Sequence, residues 1–565
     1  MAELLSYKET ETPTPALIGA PPVPRTLRIS RAEALVFLYA PFVVCVALVF
    51  ATTADDPFIT LRVAANVVHG YGPVFNRGQH VQGITSPLHL LIAIAAYALP
   101  WGHALFKLKL ASLLFGLLTV HEAGRILYGL PSLSRGLRRA GCVVVATGWT
   151  LAFASSNALS TALEAWLLVW LVRTLVVGGR PSSRAGIALL AAAAVLTRPD
   201  ALLVVCAVAL AGVFVDWHGT RRLPLAVGFG GLLCAGCDAL ASWLYYRDPL
   251  PNTFYAKEME LGPALHNGWQ YLLSALQPGM GVGAGYFTPL PSSLGEGVSK
   301  ILFVVQVGFL IGGVGYVALR FRRGLYLVAV VVAQAGFVLA SGGDWMIGGR
   351  FFAPTFVEVA CLEMLGLYAL IDFLHRRGPP ATVAILTFAG GLPLIAASVF
   401  PLSFIHDPAW ALTGIDNRSI VAAGDYQPIT EVWLALPRIA ACVPPGATVA
   451  TTEVGYFGFV RQNLRLVDMR GLTNRPIAKG APPAVKSTVG VQTPDWTSPT
   501  SVVGKTILQS KATLIIEFDS HPTGFILGGA YRNLATRDLP YAKTGLAERA
   551  IPVSVYVRSG RHSSC

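Results

Sequence analysis

The chain has 565 residues and a net charge of +13, with 54% hydrophobic and only 13% charged residues, and its mean hydropathy is +0.58. Soluble domains carry about a quarter charged residues, so this composition excludes an ordinary soluble protein and indicates a polytopic α-helical membrane protein. Lys and Arg fall in short clusters between apolar runs, which is typical of membrane topology, and we expect no nucleic-acid partner.

Residues 1–32 are polar and Pro-rich and lack the features of a cleaved signal peptide, which predicts a disordered cytoplasmic tail. Apolar runs follow the tail, and a membrane span needs about 20 residues. We predict eleven transmembrane helices, at 33–54, 108–128, 140–157, 159–178, 184–197, 199–217, 222–246, 299–319, 324–341, 352–374 and 379–400.

The basic clusters predict the orientation of these helices. All of them fall on one side if the tail is cytoplasmic and if 86–102 lies as a helix in the outer interface without crossing. The clusters are Arg25/Arg28/Arg31, Arg135/Arg138/Arg139, Arg180/Arg184, Arg221/Arg222, Arg320/Arg322/Arg323 and Arg376/Arg377. We therefore predict a multi-pass protein of the plasma (inner) membrane whose large loops, 55–107 and 247–298, are extracytoplasmic.

The sequence changes character after about residue 400. Stretches rich in β-branched and aromatic residues predict short strands, namely GATVATTEVGYFGFV, LRLVDMRGL, ATLIIEFDS and IPVSVYVRSG. Two further stretches, ITEVWLALPRIAACV and SVVGKTILQS, predict helices. We expect a mixed α/β extracytoplasmic domain over 401–565.

Two adjacent carboxylates, Asp55 and Asp56, stand at the end of the first apolar run. One of them could cap the following helix, with Pro57 in its first turn, but capping does not explain both. As chemistry, one carboxylate could act as a general base toward a sugar hydroxyl while the other orients it or helps to bind a divalent cation. The His and Cys residues have no metal-ligand spacing.

Arg198 follows the short apolar run 184–197, which gives roughly 21 Å of helix. This run should end below the outer headgroups and leave Arg198 and Asp200 at membrane depth, where a charged residue is costly and usually functional. Arg suits a phosphate because its planar fork donates paired hydrogen bonds. The alternative is a structural Arg198–Asp200 ion pair. Glu164 fits a capping box with Thr161.

Two further outer stretches combine aromatic residues with charge. PLPNTFYAK ends in Lys257, and GGDWMIGGRFFAP contains Asp344, Trp345 and Arg350. Lys257 and Arg350 could neutralise a phosphate, whereas a carboxylate and an aromatic face suit a sugar ring. Trp345 could instead belong to an interfacial aromatic belt.

These segments together resemble the GT-C glycosyltransferases that use polyprenyl-phosphate sugars. ADDPFITLRVAANVVHGYGPVFNRGQHVQGITSPLHLLI (54–92) is similar to the first-loop signature of that family, with a DD pair, R-x-A-x-N, G-x-G-x-x-[FY]-N and G-x-T-[SN]-P-L. ALSTALEAWLL, LTRPDALL, PLPNTFYAK and GGDWMIGGRFFAP resemble later segments in the same order. Within the family, the chain resembles in particular the terminal β-(1→2)-arabinofuranosyltransferases.

The resemblance implies a GT-C-like transmembrane catalytic domain over 33–400. It implies transfer of a sugar, with arabinofuranose as one candidate, from a polyprenyl-phosphate donor to an extracytoplasmic glycan or cell-envelope acceptor. No cofactor is implied beyond an optional divalent cation, and inversion or retention at the anomeric carbon is left open.

The same resemblance assigns roles to individual residues. Asp55 and Asp56 match the catalytic carboxylates, and Arg198 or Lys257, together with Arg350, would hold the donor phosphate. For the sugar or the acceptor we expect Arg62, Asn76, Asn252, Tyr255, Asp344 and Trp345. Relatives often have GMET where this chain has ALSTALE, so Glu164 is displaced and receives no role.

Two other classes of function also fit a membrane protein with these charges. A transporter or flippase of lipid-linked sugars would need membrane-depth Arg and Asp, but it would carry charged positions on both sides and often pseudo-symmetric halves. A non-catalytic glycan-binding protein is the third class. Because the polar motifs gather on one predicted face, we favour an enzyme, and we expect its tail domain to help bind the acceptor glycan.

Overall fold

The computed structural model describes residues 29–50, 53–131, 133–178, 183–215, 222–276, 292–344, 346, 349–376, 439–492, 496–518, 525–540 and 550–559. Most of them lie in α-helices, and a smaller mixed β-sheet follows near the C-terminus. The predicted span 379–400 and most of the predicted tail, 1–28, lie outside the described residues.

Helices coincide with the other ten predicted spans. In chain order they are α1 (Arg31–Ala34), continued through a π-helical stretch (Leu35–Tyr39) into α2 (Ala40–Val49), then α5 (Ala104–Gly129), α6 (Arg135–Ala146), α7 (Trp149–Ala154), α8 (Thr161–Val176), α9 (Arg184–Thr197), α10 (Ala201–Val215), α11 (Arg222–Tyr246), α14 (Ser292–Arg320), α15 (Leu325–Ser341) and α16 (Phe356–His375). Four described segments are long and apolar enough to cross a membrane: Ala104–Gly129, Leu223–Tyr246, Phe303–Arg320 and Arg322–Ser341. The count of eleven spans stays a prediction.

The first outer loop, our name for the predicted extracytoplasmic loop 55–107, contains two helices, α3 (Asp56–Val68) and α4 (Pro87–Ala98), and each has a Pro in its first turn. α4 is roughly 18 Å long, shorter than the hydrocarbon core. Its Leu91 is 62% exposed, and Trp101 beyond its end is 51% exposed. The helix predicted at 86–102 is therefore present, and its place in the membrane interface stays a prediction.

The second outer loop carries the short helix α12 (Asn252–Ala256) and then α13 (Leu261–Leu276). Between the outer loops, α9 ends where the sequence predicts. Pro199 disfavours a helical conformation in the residue before it, and Arg198 is extended, with φ −155° and ψ 139°. Arg198 is thereby turned out of the helix at its outer end.

The C-terminal region contains a six-stranded mixed sheet in the order β2-β1-β5-β8-β7-β6. β1 pairs in parallel with β2 and β5, whereas β5, β8, β7 and β6 pair antiparallel. The strands are β1 (Thr448–Thr451), β2 (Arg465–Asp468), β3 (Lys486–Ser487), β4 (Gly490–Val491), β5 (Leu514–Phe518), β6 (Phe525–Ile526), β7 (Tyr531–Pro540) and β8 (Ala550–Arg558), with β3 and β4 forming a separate pair. The mixed α/β prediction is confirmed.

Two details of that prediction are wrong. The strand predicted through GYFGFV ends at Thr451, and Gly455–Val460 forms a helix, α17, because packing of Phe457 into the core outweighs its β-propensity. β7 was not predicted, since its charged sequence lacks a hydrophobic alternation. The remaining α-helices among the described residues are α18 (Arg475–Gly480) and α19 (Val502–Ser510), and α19 matches the prediction. The helix predicted over ITEVWLALPRIAACV lies mostly outside the described residues, and its described end, Ala440–Cys442, is a 3-10 helix.

The two faces of this sheet bury different partners, because successive strand residues point to opposite faces. One face packs against α18 and α19, through strand residues Ala450, Val467, Ile515 and Tyr556. The other face shares one hydrophobic core with α3 and α4, through strand residues Val449, Leu466, Leu514, Ile516, Val553, Val555 and Val557. The first outer loop is therefore a layer of the C-terminal domain.

Candidate active site

Arg350, in the segment that follows α15, joins two carboxylates. Its Nη1 lies 3.0 Å from Asp56 Oδ2, and its Nη2 donates a hydrogen bond of 2.9 Å to Asp344 Oδ1. Burial alone would lower the pKa of Arg350, but the charges of Asp344 and Asp56 outweigh it and raise the pKa above its ordinary value. The Asp344 side chain is 1% exposed and that of Asp56 is 27% exposed. Asp56 is thus the carboxylate of this trio that a substrate can reach.

Arg198 also bridges two carboxylates. Its Nε lies 3.0 Å from Asp200 Oδ1 and 3.1 Å from Glu164 Oε2. The Arg198–Asp200 pair expected on structural grounds is therefore present. The capping box expected of Glu164 is wrong, because α8 has no side-chain cap and the buried Glu164 faces Arg198. Sequence reasoning gave Glu164 no part in the site, because its partner Arg198 follows the next helix along the chain.

Phe351 lies between the two guanidinium groups. Its ring centroid is 5.2 Å from Cζ of Arg198 and 5.4 Å from Cζ of Arg350, both within cation–π range. The Phe351 backbone is held as well, since its N–H donates to Tyr271 Oη at 3.3 Å and its carbonyl accepts from Gln334 Nε2 at 2.8 Å. The two arginines thus contact one aromatic ring whose backbone is held by hydrogen bonds. Nothing in the sequence singled out Phe351 or Tyr271.

Lys257 is the third cation of the region, at the C-terminal end of α12. Burial lowers its pKa and so does the positive charge of Arg350, while Asp56 and Asp344 act in the opposite direction. Within the described ranges, no hydrogen bond or ion pair engages its ammonium group. Each arginine faces two carboxylates, whereas none of the carboxylates that the structure describes forms an ion pair with Lys257. It is therefore the group that can accept an added anion.

Asp55 is directed away from its neighbour. Its Oδ2 accepts a hydrogen bond from the backbone N–H of Gly455, and its Oδ1 accepts one from Tyr456, both at 2.7 Å. The side chain does not cap α3. Burial raises the pKa of Asp55 although the two N–H donors lower it, and the charge of Asp56 adds to the rise. The two adjacent carboxylates thus contact different parts of the molecule.

Arg62 and Asn76, expected to bind a sugar or an acceptor, also contact the C-terminal domain. Arg62 donates to the carbonyls of Gly458 and Leu464, each at 2.7 Å. Asn76 exchanges two hydrogen bonds with the backbone of Leu466, one of 2.7 Å and one of 3.0 Å. These polar groups hold two domains together, so we do not retain them in the proposed site.

Asn252 and Tyr255 have similar partners. Asn252 Nδ2 donates to the carbonyl of Gly471 at 2.5 Å. Tyr255 Oη donates to Asp248 at 2.7 Å, and Lys479 of α18 lies 2.6 Å from Asp248 and 4.1 Å above the Tyr255 ring. Both residues dock the second outer loop on the C-terminal domain. Trp345 lies outside the described residues.

A divalent cation finds no ready-made site in the part of the chain that the structure describes. No group of three His, Cys, Asp or Glu residues there is placed to hold a metal ion. The structure therefore brings together Asp56, Arg198, Lys257, Asp344 and Arg350 from the sequence-predicted set, and it adds Glu164, Phe351 and Tyr271.

Comparison with known proteins finds a family model and a curated relative that each match part of the chain. Residues 420–553 match the model of a domain of unknown function, DUF8728. Over 332 residues, 54% of this chain, the sequence is 31% identical to a curated protein of Mycobacterium tuberculosis, of which 51% is covered. That relative is a terminal β-(1→2)-arabinofuranosyltransferase. The match confirms the resemblance seen in the motifs, and the chain spans about half the length of this relative.

Two solved structures share a broad likeness. ArnT from Cupriavidus metallidurans bound to undecaprenyl phosphate has a TM-score of 0.47 and 14% identity, with 93% of this chain and 98% of that chain covered. The oligosaccharyltransferase AglB from Archaeoglobus fulgidus has a TM-score of 0.48 and 12% identity, with 85% and 69% covered. Both TM-scores lie below 0.5, too low a likeness to carry a functional conclusion.

Proposed function

We propose that the chain is a GT-C-type membrane glycosyltransferase that moves a sugar from a polyprenyl-phosphate donor to an extracytoplasmic glycan or cell-envelope acceptor. Arabinofuranose is the first candidate for the sugar, given the similarity to an arabinofuranosyltransferase. The observation that carries the proposal is Lys257, which has no ion-pair partner among the described residues and interacts electrostatically with Asp56 and Arg350. That arrangement offers a site for a phosphate next to an accessible carboxylate.

In this proposal the donor phosphate binds at Lys257, and the guanidinium groups of Arg350 and Arg198, each also paired with two carboxylates, line the same site. Asp56 accepts the proton of the acceptor hydroxyl as its oxygen attacks the anomeric carbon. The bond from that carbon to the phosphate oxygen breaks, and the polyprenyl phosphate leaves with the electron pair. The ammonium of Lys257 stabilises the charge that develops on it, which lowers the barrier. Asp344 keeps Arg350 in place.

We also propose that the protein lies in the plasma (inner) membrane with a cytoplasmic N-terminus and an extracytoplasmic site. The outer-loop helices α3 and α12 and the segment that follows α15 meet at one end of the helices, which supports a single-sided site. A transporter of lipid-linked sugars would need charged positions at both ends of a pathway. The C-terminal domain packs on the loop that carries Asp56, and this supports a part for it in binding the acceptor glycan.

The proposal is tested by supplying the purified full-length protein with a panel of donors. Decaprenyl-phosphate arabinose and polyprenyl-phosphate hexoses are each incubated with an oligosaccharide acceptor, and the products are analysed by mass spectrometry. We expect transfer from at least one donor. An absence of product with every donor, together with protein-dependent movement of the lipid-linked sugar across vesicles, would instead support the transporter.

Replacing Lys257 with Ala should weaken donor binding more than it slows the chemical step. A charge-assisted hydrogen bond contributes about 1.5–3 kcal/mol, so we expect the donor KM to rise by about 10- to 100-fold. Lys257→Arg keeps the charge, so its donor KM should lie between those of the wild type and Lys257→Ala. The matched control is Lys505→Ala on α19, whose side chain is exposed. A donor KM that is equal in the two Ala variants would remove Lys257 from the phosphate site.

A further inference from the structure

We propose that Asp55 is a positioning residue that couples docking of the C-terminal domain to the placement of Asp56. This inference rests on the proposed function, because it takes Asp56 as the base. It departs from the family expectation, in which both neighbouring carboxylates belong to the reacting pair.

The contact between Asp55 and α17 is close and double. Both carboxylate oxygens accept from consecutive backbone N–H groups, of Gly455 and Tyr456, and the Asp55 residue is only 7% exposed. A Cβ at position 455 would clash with the carbonyl oxygen and with the carboxylate of Asp55. Glycine is needed there because the two backbones approach each other too closely for any side chain.

The helix that begins next to Asp55 packs against the sheet. Phe58, Leu61 and Val63 of α3 lie in the same hydrophobic core as the strand residues of the C-terminal domain. The Phe58 ring also packs edge-on against Tyr456 at 5.2 Å. The position of Asp56, the first residue of α3, thus depends on the C-terminal domain, through the packing of α3 and through the hydrogen bonds of Asp55.

The partners of Asp56 belong to other elements. Arg350 and Asp344 lie in the segment between α15 and α16, and Phe351 is held there by Tyr271 of α13 and Gln334 of α15. The Asp56–Arg350 ion pair therefore crosses from the sheet-bearing layer to the helical layer. Any shift of the C-terminal domain moves the base relative to the donor site, and a displacement of about 1 Å can cost about 10²-fold in rate.

The test compares Asp55→Ala, Asp55→Asn and Gly455→Ala with two controls in full-length protein. The controls are Asp372→Asn, in an exposed ion pair on α16, and Gly262→Ala on α13, where a Cβ would meet nothing within 4 Å. Transfer kinetics give kcat and donor KM, and hydrogen exchange of residues 455–460 reports docking. Gly455→Ala alters the contact without removing either carboxylate, so it covers the case in which Asp55→Ala does not fold.

We expect Asp55→Ala and Gly455→Ala to lower kcat by about 10²-fold, to speed exchange at 455–460 and to leave the donor KM within about threefold of wild type. Asp55→Asn, which keeps one acceptor oxygen for the two N–H groups, should be intermediate. If the wild type is active and Gly455→Ala keeps the wild-type kcat, with or without faster hydrogen exchange, this inference is overturned and the proposed function is not. A wild type inactive with every donor would overturn the proposed function and this inference with it.

Discussion

Asp56→Asn is expected to lower kcat by about 10³-fold, because a general base contributes about 10²–10⁴-fold and an amide cannot take up the proton. Asn has the shape of Asp and can still accept a hydrogen bond from Arg350 Nη1, which lies 3.0 Å from the native oxygen. The fold and the donor KM should therefore change little. The measurement is the rate of transfer at saturating donor.

The control for Asp56→Asn is Asp372→Asn, which makes the same chemical change in a pair that is partly solvent-exposed. Its kcat should equal that of the wild type. If Asp56→Asn transfers sugar at the wild-type rate, Asp56 is not the base. A loss in Asp55→Asn alone would then return Asp55, despite its backbone partners, as the candidate.

Arg350→Ala is expected both to destabilise the protein and to abolish transfer. It leaves the Asp56 and Asp344 carboxylates next to each other without their shared cation, and Asp344 is almost fully buried. Breaking a buried pair by removing one partner costs about 3–5 kcal/mol. Because Asp56 is partly exposed, we expect the free energy of unfolding to fall by about 3 kcal/mol. Reversible denaturation in detergent and the transfer assay measure the two effects.

Three variants sharpen this experiment. Arg376→Ala, in a pair whose side chains are 67% and 39% exposed, should cost no more than about 1 kcal/mol. Arg350→Lys keeps the charge but loses the fork that reaches two carboxylates, so it should be intermediate in stability. Adding Asp344→Asn to Arg350→Ala removes one unpaired charge and should restore part of the stability without activity. Unchanged stability in Arg350→Ala would contradict the bridging role.

Local sequence signals predicted much of the helical part correctly. The bounds of α9 follow from an apolar run that Pro199 ends, and the start of α3 follows from Pro57 in its first turn. Such features depend on residues that are close in the chain, so they can be predicted from one sequence. The same holds for the four strands that carry β-branched runs, whereas GYFGFV and the charged β7 are decided by tertiary packing.

The candidate site was predictable only in part, for a physical reason. Arg198, Lys257, Arg350, Asp344 and Asp56 could be named because charge in an apolar chain is costly and therefore conspicuous. Their partners could not, since Asp55 and Gly455 are 400 positions apart and the partner is a backbone N–H, which every residue but Pro carries. The acceptors of Arg62, Asn76 and Asn252 could not be named either, because they are backbone carbonyls.

The shared core of the sheet and the first outer loop sets a rule for making chimaeras with related proteins. A graft that exchanges only the C-terminal segment, cut at the limits of the matched region 420–553, would replace one half of a packed core and keep the other half from a different sequence. The smallest unit that can be exchanged without creating mismatched surfaces is discontinuous and joins the first outer loop to the C-terminal sheet. A chimaera meant to transfer specificity between relatives would therefore have to exchange both pieces together.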